Sequence, residues 1–162
     1  MLLLLFCDRI ILEIATVEVG MIYTPMTKMA MKLCFETHKD QVDKTGLPYV
    51  FHPFHLAEQM DDEISTICAL LHDVVEDSEM TLEGLLEMGF PVEAVEVLTL
   101  LTHLSDVPYM DYVREIKNNP TATKVKIADL MHNSDLTRLD EIDEWAIKRN
   151  EKYAEALRIL TE

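Results

Sequence analysis

The string Leu70-Leu71-His72-Asp73-Val74-Val75-Glu76-Asp77 constrains this chain more than any other segment. An apolar run ends in two adjacent side chains able to bind metal, and two more carboxylates follow a helical turn later. Residues four apart on a helix share a face, so His72 is expected beside Glu76 and Asp73 beside Asp77. Leu70, Leu71, Val74 and Val75 would anchor the opposite side in a core. Acids and an imidazole against such a core are costly unless compensated, and a divalent cation compensates well. The competing reading is a solvated acidic helix end, and the four apolar residues argue against it.

One helix cannot surround an ion, so further ligands must come from elsewhere. His52 lies earlier, in Tyr49-Val50-Phe51-His52-Pro53, and Asp129 later, in Lys126-Ile127-Ala128-Asp129-Leu130-Met131-His132-Asn133. The set His52, His72, Asp73 and Asp129 suits Mn2+, Fe2+, Co2+, Ni2+ or Zn2+ rather than calcium or magnesium alone. Four protein ligands leave room for water only when coordination expands beyond tetrahedral, which favours Mn2+ or Fe2+ over structural Zn2+. Taken singly, His52 in its aromatic loop reads as a packed histidine. Asp129 in its apolar run reads as an internal hydrogen bond between two helices. The cluster as a whole favours ligation. Asn133 shares the face of Asp129, and His132 is a candidate hydrogen-bond donor beside it. His38 could support the ligands from behind, and reads more readily as a histidine stabilised by a helix C-terminus.

The 162 residues suffice for one domain with its own core, and about half are apolar. The formal charge of -16 argues against DNA or RNA as a partner. That charge is uneven: from Thr45 to Val113 there are fourteen acidic residues and no Lys or Arg. Positive charge for an anionic substrate must come from the ion or from flanking residues: Lys39, Lys44, Arg114, Lys117, Lys124, Lys126 and Arg138. The three cysteines, Cys7, Cys34 and Cys68, are widely spaced and form no CxxC, which reads as reduced thiols in a cytoplasmic protein. Met1 to Phe6 is apolar but too short for a membrane span, and no basic region precedes it. Residues 1–20 are expected to be a peripheral extension or a misassigned start, and residues 21–162 the functional domain.

Helical signals dominate. Thr24-Pro25 starts a helix running to about Lys39, Pro53 a short one to Met60, and Asp61 or Asp62 caps one ending near Asp77. Thr81 starts a short helix to Met88 that Gly89 stops, and Pro91 begins another through Leu101. Pro108 and Pro120 open helices to about Asn118 and Leu139. Asp140 or Asp143 caps the last, with Trp145, Ile147, Tyr153, Ala156, Leu157 and Ile159 facing inward. Only Ile14–Val19 looks weakly strand-like. The expected fold is a compact all-α bundle.

Four segments, in order, resemble the motifs of the HD-domain hydrolases of the RelA/SpoT type. They are His38-Lys39-Asp40-Gln41, Lys44 to Pro53, Leu70 to Asp77, and Lys126 to Asn133. The layout is similar to the small stand-alone alarmone hydrolases, from about Met26 to Leu139. The resemblance implies one Mn2+ bound by His52, His72, Asp73 and Asp129, with Glu76 and Asp77 orienting or activating the attacking water. It also implies nucleotide contact by Asn133, and hydrolysis of the 3′-pyrophosphate of ppGpp or pppGpp. Two positions depart. Asp43 stands where the family usually has an Arg stacked on guanine, and Leu130 where an Arg usually follows the metal-binding Asp. Both changes remove positive charge.

The leading expectation is therefore a metal-dependent phosphohydrolase of ppGpp-like nucleotides, with Lys44 offsetting phosphate charge and Lys126 a second candidate. Two alternatives stand beside it: the same metal chemistry on another nucleotide or phosphorylated metabolite, and a non-catalytic nucleotide-sensing module. No membrane partner is expected.

Overall fold

A computed structural model describes residues 20–162. The expectations for the N-terminal extension, the strand-like stretch Ile14–Val19 and Cys7 lie outside the described residues. Nothing in the described residues tests the proposed boundary at residue 20.

The described chain is helical, in the order α1 (Pro25–His38), α2 (Phe51–Ala57), α3 (Glu63–Leu71), α4 (Val74–Asp77), α5 (Leu82–Glu87), α6 (Val92–Leu101), α7 (Tyr109–Ile116), α8 (Pro120–Ser134) and α9 (Glu144–Thr161), with a 3-10 turn at Leu136–Arg138. The only sheet-like pairing among the described residues is an isolated bridge between Val42 and Pro48. The all-α expectation therefore holds. No helix of the described residues is long and apolar enough to cross a membrane.

Local chemistry sets most helix starts. The Thr24 hydroxyl accepts from the Thr27 N–H, and Pro25 occupies the first turn, where its missing donor costs nothing. Asp62, Thr81, Asn119 and Asp143 cap α3, α5, α8 and α9 in the same way. Gly89 ends the α5 segment at φ +89, a left-handed conformation that glycine adopts without strain.

The strongly apolar α3 is the centre of the bundle. Residues Ile67 to Leu71 are fully buried, and α1, α2, α6 and α8 surround the helix. The end of α9 closes the core with Ala156 and Leu160.

Three expectations need correction. The helix expected to run unbroken to Asp77 stops at Leu71, and His72-Asp73 form a turn before α4. At this break the His72 ring caps the helix end: its Nδ1 lies 2.8 Å from the Ala69 carbonyl, an acceptor in the last turn. The helix expected to reach Leu139 ends at Ser134, because Asp135 leaves helical geometry (ψ 98) and its carboxylate caps the 3-10 turn through Thr137 N. On α9, Trp145 and Ile147 are about half exposed instead of facing inward. In the first turn of α9 only Ala146 is buried, and Trp145 and Ile147 on either side of it stay at the surface.

Candidate metal centre and adjoining cavity

Each candidate ligand is placed by a different local device. His72 is oriented by the Ala69 carbonyl, which accepts a hydrogen bond from Nδ1–H and leaves Nε2 toward the cluster. Asp73 follows at the turn, and the Tyr49 hydroxyl donates to its Oδ2. His52 enters at the start of α2, beyond a loop that reverses at Gly46 (φ +80). Asp129 projects from mid-α8, where Lys126 Nζ (2.8 Å) and Asn133 Nδ2 (2.5 Å) donate to its two oxygens.

His52, His72 and Asp73 offer donor atoms within 4.8 Å of one another, and Asp129 meets this group through His52. His52 Nε2 lies 3.2 Å from Asp129 Oδ1 and 4.0 Å from Asp73 Oδ2, and His72 Nε2 lies 2.9 Å from Asp73 Oδ2. An ion held at about 2.1 Å by each donor requires donor pairs roughly 3–4 Å apart. Both Nε2 atoms are buried and complete no well-aligned hydrogen bond. Two orphaned imidazole nitrogens facing two carboxylates fit a divalent cation better than any protein partner within reach.

The electrostatics agree. Burial pushes the Asp73 carboxyl up, but His72 outweighs it and holds the group down at about 2. Burial also opposes charge on His72, yet Asp73 and Asp129 raise its ring to about 9. Asp129 stays well below the usual carboxylate range: burial resists this, and Lys126 and His52 overcome it. Burial, reinforced by Asp73, pushes the Tyr49 phenol well up, so it remains a donor.

A hydrogen-bond chain orients His52. Its Nδ1 lies 2.6 Å from His132 Nδ1, and Arg138 Nη1 lies 3.2 Å from that same atom. Guanidinium only donates, so His132 Nδ1 accepts and His52 Nδ1 carries the hydrogen. The His52 Nε2 lone pair is then left for the cluster. His132, expected as a donor, is here an acceptor. Burial, with His52 and Arg138 nearby, lowers its ring to about 4, keeping it neutral.

Glu76 and Asp77 are exposed. Glu76 Oε1 accepts from the His103 N–H at 2.6 Å, and Asp77 Oδ2 from Gln41 Nε2 at 3.0 Å. His38 is fully buried, its Nδ1 2.6 Å from Gln41 Oε1, so this helix-end histidine also holds the loop that carries Gln41.

A cavity of about 240 Å³ adjoins the cluster at His52, with Lys44, Asn133, Arg138, Arg149 and Tyr153 in its wall. Lys44 is at this cavity, whereas Lys126 is turned to Asp129 and is not in its wall. Asp43 also lines it, its carboxylate engaged by Thr45, Leu47 and Arg138. Leu130 is in the core, 1% exposed. Arg149 is not among the sequence candidates, and Tyr153, expected only to face the core, also lines the cavity. Trp145, Arg149 and Tyr153 recur every four residues, and that spacing was the available signal of a shared polar-aromatic face.

No family model matches the chain. The MESH1 guanosine-3′,5′-bis(diphosphate) 3′-pyrophosphohydrolase of Danio rerio is 31% identical over 134 residues, covering 74% of this chain and 73% of that protein. The Mus musculus MESH1 protein is 31% identical over 137 residues, covering 75% of each. The guanosine-3′,5′-bis(diphosphate) 3′-pyrophosphohydrolase of Aquifex aeolicus is 30% identical over 134 residues, and this chain spans only 18% of its length. A solved structure of a metazoan ortholog of SpoT that hydrolyses ppGpp superposes with a TM-score of 0.66 at 21% identity, covering 87% of this chain and 86% of that one. That likeness gives the helical fold. With 31% identity across about three quarters of both partners, the chain belongs to the MESH1 family of RelA/SpoT-like HD-type hydrolases.

Proposed function

We propose that this protein is a metal-dependent phosphohydrolase that releases pyrophosphate from the 3′ position of a guanosine bis(diphosphate). The observation that carries the reading is the pair of buried, unpartnered Nε2 atoms of His52 and His72 facing Asp73 and Asp129, beside a cavity with cations in its wall. Those four residues would hold the ion, with Mn2+ the first choice and Fe2+, Co2+, Ni2+ and Zn2+ the others that the donor set suits. A bound ion would lower the pKa of water and polarise a phosphoryl oxygen.

The chain's own groups do the rest. Glu76 and Asp77 each have one carboxylate oxygen engaged by a backbone or amide donor, which orients the other for a water molecule. The water oxygen forms a bond to the phosphorus nearest the ribose as the bond from that phosphorus to the 3′ oxygen breaks. The carboxylate takes the water proton, and the 3′ oxygen gains one as it leaves. Lys44 offsets phosphate charge. Asn133, whose amide already donates to Asp129, has its carbonyl and second N–H for the nucleotide.

One observation favours a second reading, in which the same chemistry acts on another phosphorylated nucleotide. A carboxylate, Asp43, lines the cavity and is paired to Arg138, which changes what the pocket offers a base. The deciding experiment is pyrophosphate release from ppGpp by the Mn2+-loaded protein, with Asp73→Ala as control. Metal-dependent release that the control loses supports the first reading. Stoichiometric metal binding without release turns the assignment to the second, and a panel of phosphorylated nucleotides would follow.

A further inference from the structure

The loop from Gln41 to Tyr49 touches two of the three carboxylates in the His72–Asp77 segment, and a hydrogen bond ties its ends together. The Tyr49 N–H donates to the Gln41 carbonyl at 2.9 Å, and the Gln41 N–H donates to the His38 carbonyl at 3.0 Å. From this clamped base the Tyr49 hydroxyl donates to Asp73, and the Gln41 amide nitrogen donates to Asp77 Oδ2 at 3.0 Å. Asp77 is the last residue of α4, a helix of four residues, and Ser78 after it is already extended. Its own N–H is bonded to the Asp73 carbonyl at 2.9 Å. The main chain therefore fixes where Asp77 sits but not how its exposed carboxylate turns. Among the described residues, the Gln41 amide is the only hydrogen-bond donor to that carboxylate.

The direction of each bond follows from the groups involved. A carboxylate only accepts, so the Gln41 amide nitrogen faces Asp77 and its oxygen faces His38 Nδ1, at 2.6 Å. An amide oxygen also only accepts, so His38 Nδ1 carries the hydrogen. The His38 ring is fully buried edge-on to Tyr49, and its Nε2 has no partner. A buried polar atom left unpaired is destabilising, and an apolar side chain would fill the same space without that cost. What the imidazole supplies instead is the bond at Nδ1, which holds Gln41 in the orientation that meets Asp77. Gln41 is also in the wall of the cavity beside the cluster, so the chain of bonds runs from the end of α1 to the site.

We propose that His38 and Gln41 are positioning residues for Asp77: the buried imidazole sets the amide, the amide engages Oδ2, and Oδ1 is thereby aimed at the attacking water. The role rests on the reaction proposed above.

Turnover of ppGpp by the full-length, Mn2+-loaded protein tests it. Gln41→Leu should lower kcat by about 10–100-fold, with KM and Mn2+ affinity close to those of the unaltered protein. In an Asp77→Asn background Gln41→Leu should cost little further, because the group it acts through is gone. His38→Asn, whose amide nitrogen falls near the place of Nδ1, should keep kcat near its starting value. His38→Gln, whose amide nitrogen falls near the place of Nε2, should lower kcat as Gln41→Leu does. Both bring the same polar group into the same buried site, so damage to folding alone would strike them alike. The imidazole 15N shifts of the unaltered protein should show His38 in its Nδ1–H form. A loss in Gln41→Leu that is carried by KM, or is equal with and without Asp77→Asn, overturns the positioning role and leaves the reaction standing. Equal kcat for His38→Asn and His38→Gln, or His38 in its Nε2–H form, does the same. No pyrophosphate release by the unaltered protein overturns the reaction and the role together.

Discussion

Arg138 Nη2 donates to Asp43 Oδ2 across 2.9 Å, joining residues 95 apart in the chain. The other guanidinium nitrogen reaches His132, and His132 in turn accepts from His52. The pair therefore lies at the outer end of a hydrogen-bond chain that frees a candidate metal-ligating nitrogen.

Removing Arg138 should consequently be felt at the metal. Without that donor, His132 Nδ1 is free to hold the hydrogen, and His52 can flip to the tautomer protonated at Nε2. We expect Arg138→Leu to lower metal affinity by about 10–100-fold, measured by calorimetry. The imidazole 15N shifts of the metal-free protein should show His52 moving away from the Nδ1–H form. Unchanged shifts with unchanged affinity would disconnect Arg138 from His52.

Restoring arginine at the two departing positions should fail for different reasons. Leu130→Arg places a cation in the core at a residue 1% exposed, and should cost more than about 4 kcal/mol. Asp43→Arg loses the acceptor for Thr45 N, Thr45 Oγ1 and Leu47 N and sets two guanidinium groups together. Its expected cost is about 1–3 kcal/mol, without tighter alarmone binding. Chemical denaturation and equilibrium binding of ppGpp check both, and a sharp gain in affinity for Asp43→Arg would overturn this account of the loop.

The raised His72 pKa sets a pH dependence. Its folded value of about 9 exceeds the reference of 6.5, so its contribution to stability is fully present below pH 6.5 and is lost as pH rises through 9. Metal-free protein should lose melting temperature across that window. Ligation requires the neutral ring, so Mn2+ displaces the proton, and its stabilising effect should grow over the same window. Melting curves with and without Mn2+ at several pH values test this. A metal-induced gain that stays flat from pH 6.5 to 9 counts against His72 as a ligand.

Asp73→Ala should abolish metal-induced stabilisation, which for wild-type protein at a hundredfold excess of ion over Kd amounts to about 2.7 kcal/mol. Leu70→Ala, in the fully buried centre of α3, should instead cost about 2–5 kcal/mol while leaving metal stoichiometry at one. Thermal melts with metal titration separate the two effects.

Caps and periodicity were legible because they act over three or four residues. Thr24 and Thr81 start helices where their side chains predict, and Asp62 and Asp143 are the capping members of the two pairs of candidates. That His52, His72 and Asp73 would lie close together was legible too, since buried ionisable groups in apolar runs demand a shared partner; Asp129 joins them only through His52. The break at His72-Asp73 was not legible, because helical spacing alone does not reveal that the His72 ring turns back to cap its own helix.

By itself, then, the amino-acid sequence determined an all-helical chain, its helix starts and the types of donor available for an ion. Only the tertiary structure decided that Asp43 faces Arg138, that Lys126 is turned to Asp129, and that Trp145 stands in a cation-lined cavity. The physical reason is range: capping and helical spacing act within a few residues, whereas the Asp43–Arg138 pair and the shared wall of Lys44 and Trp145 arise only when distant segments pack.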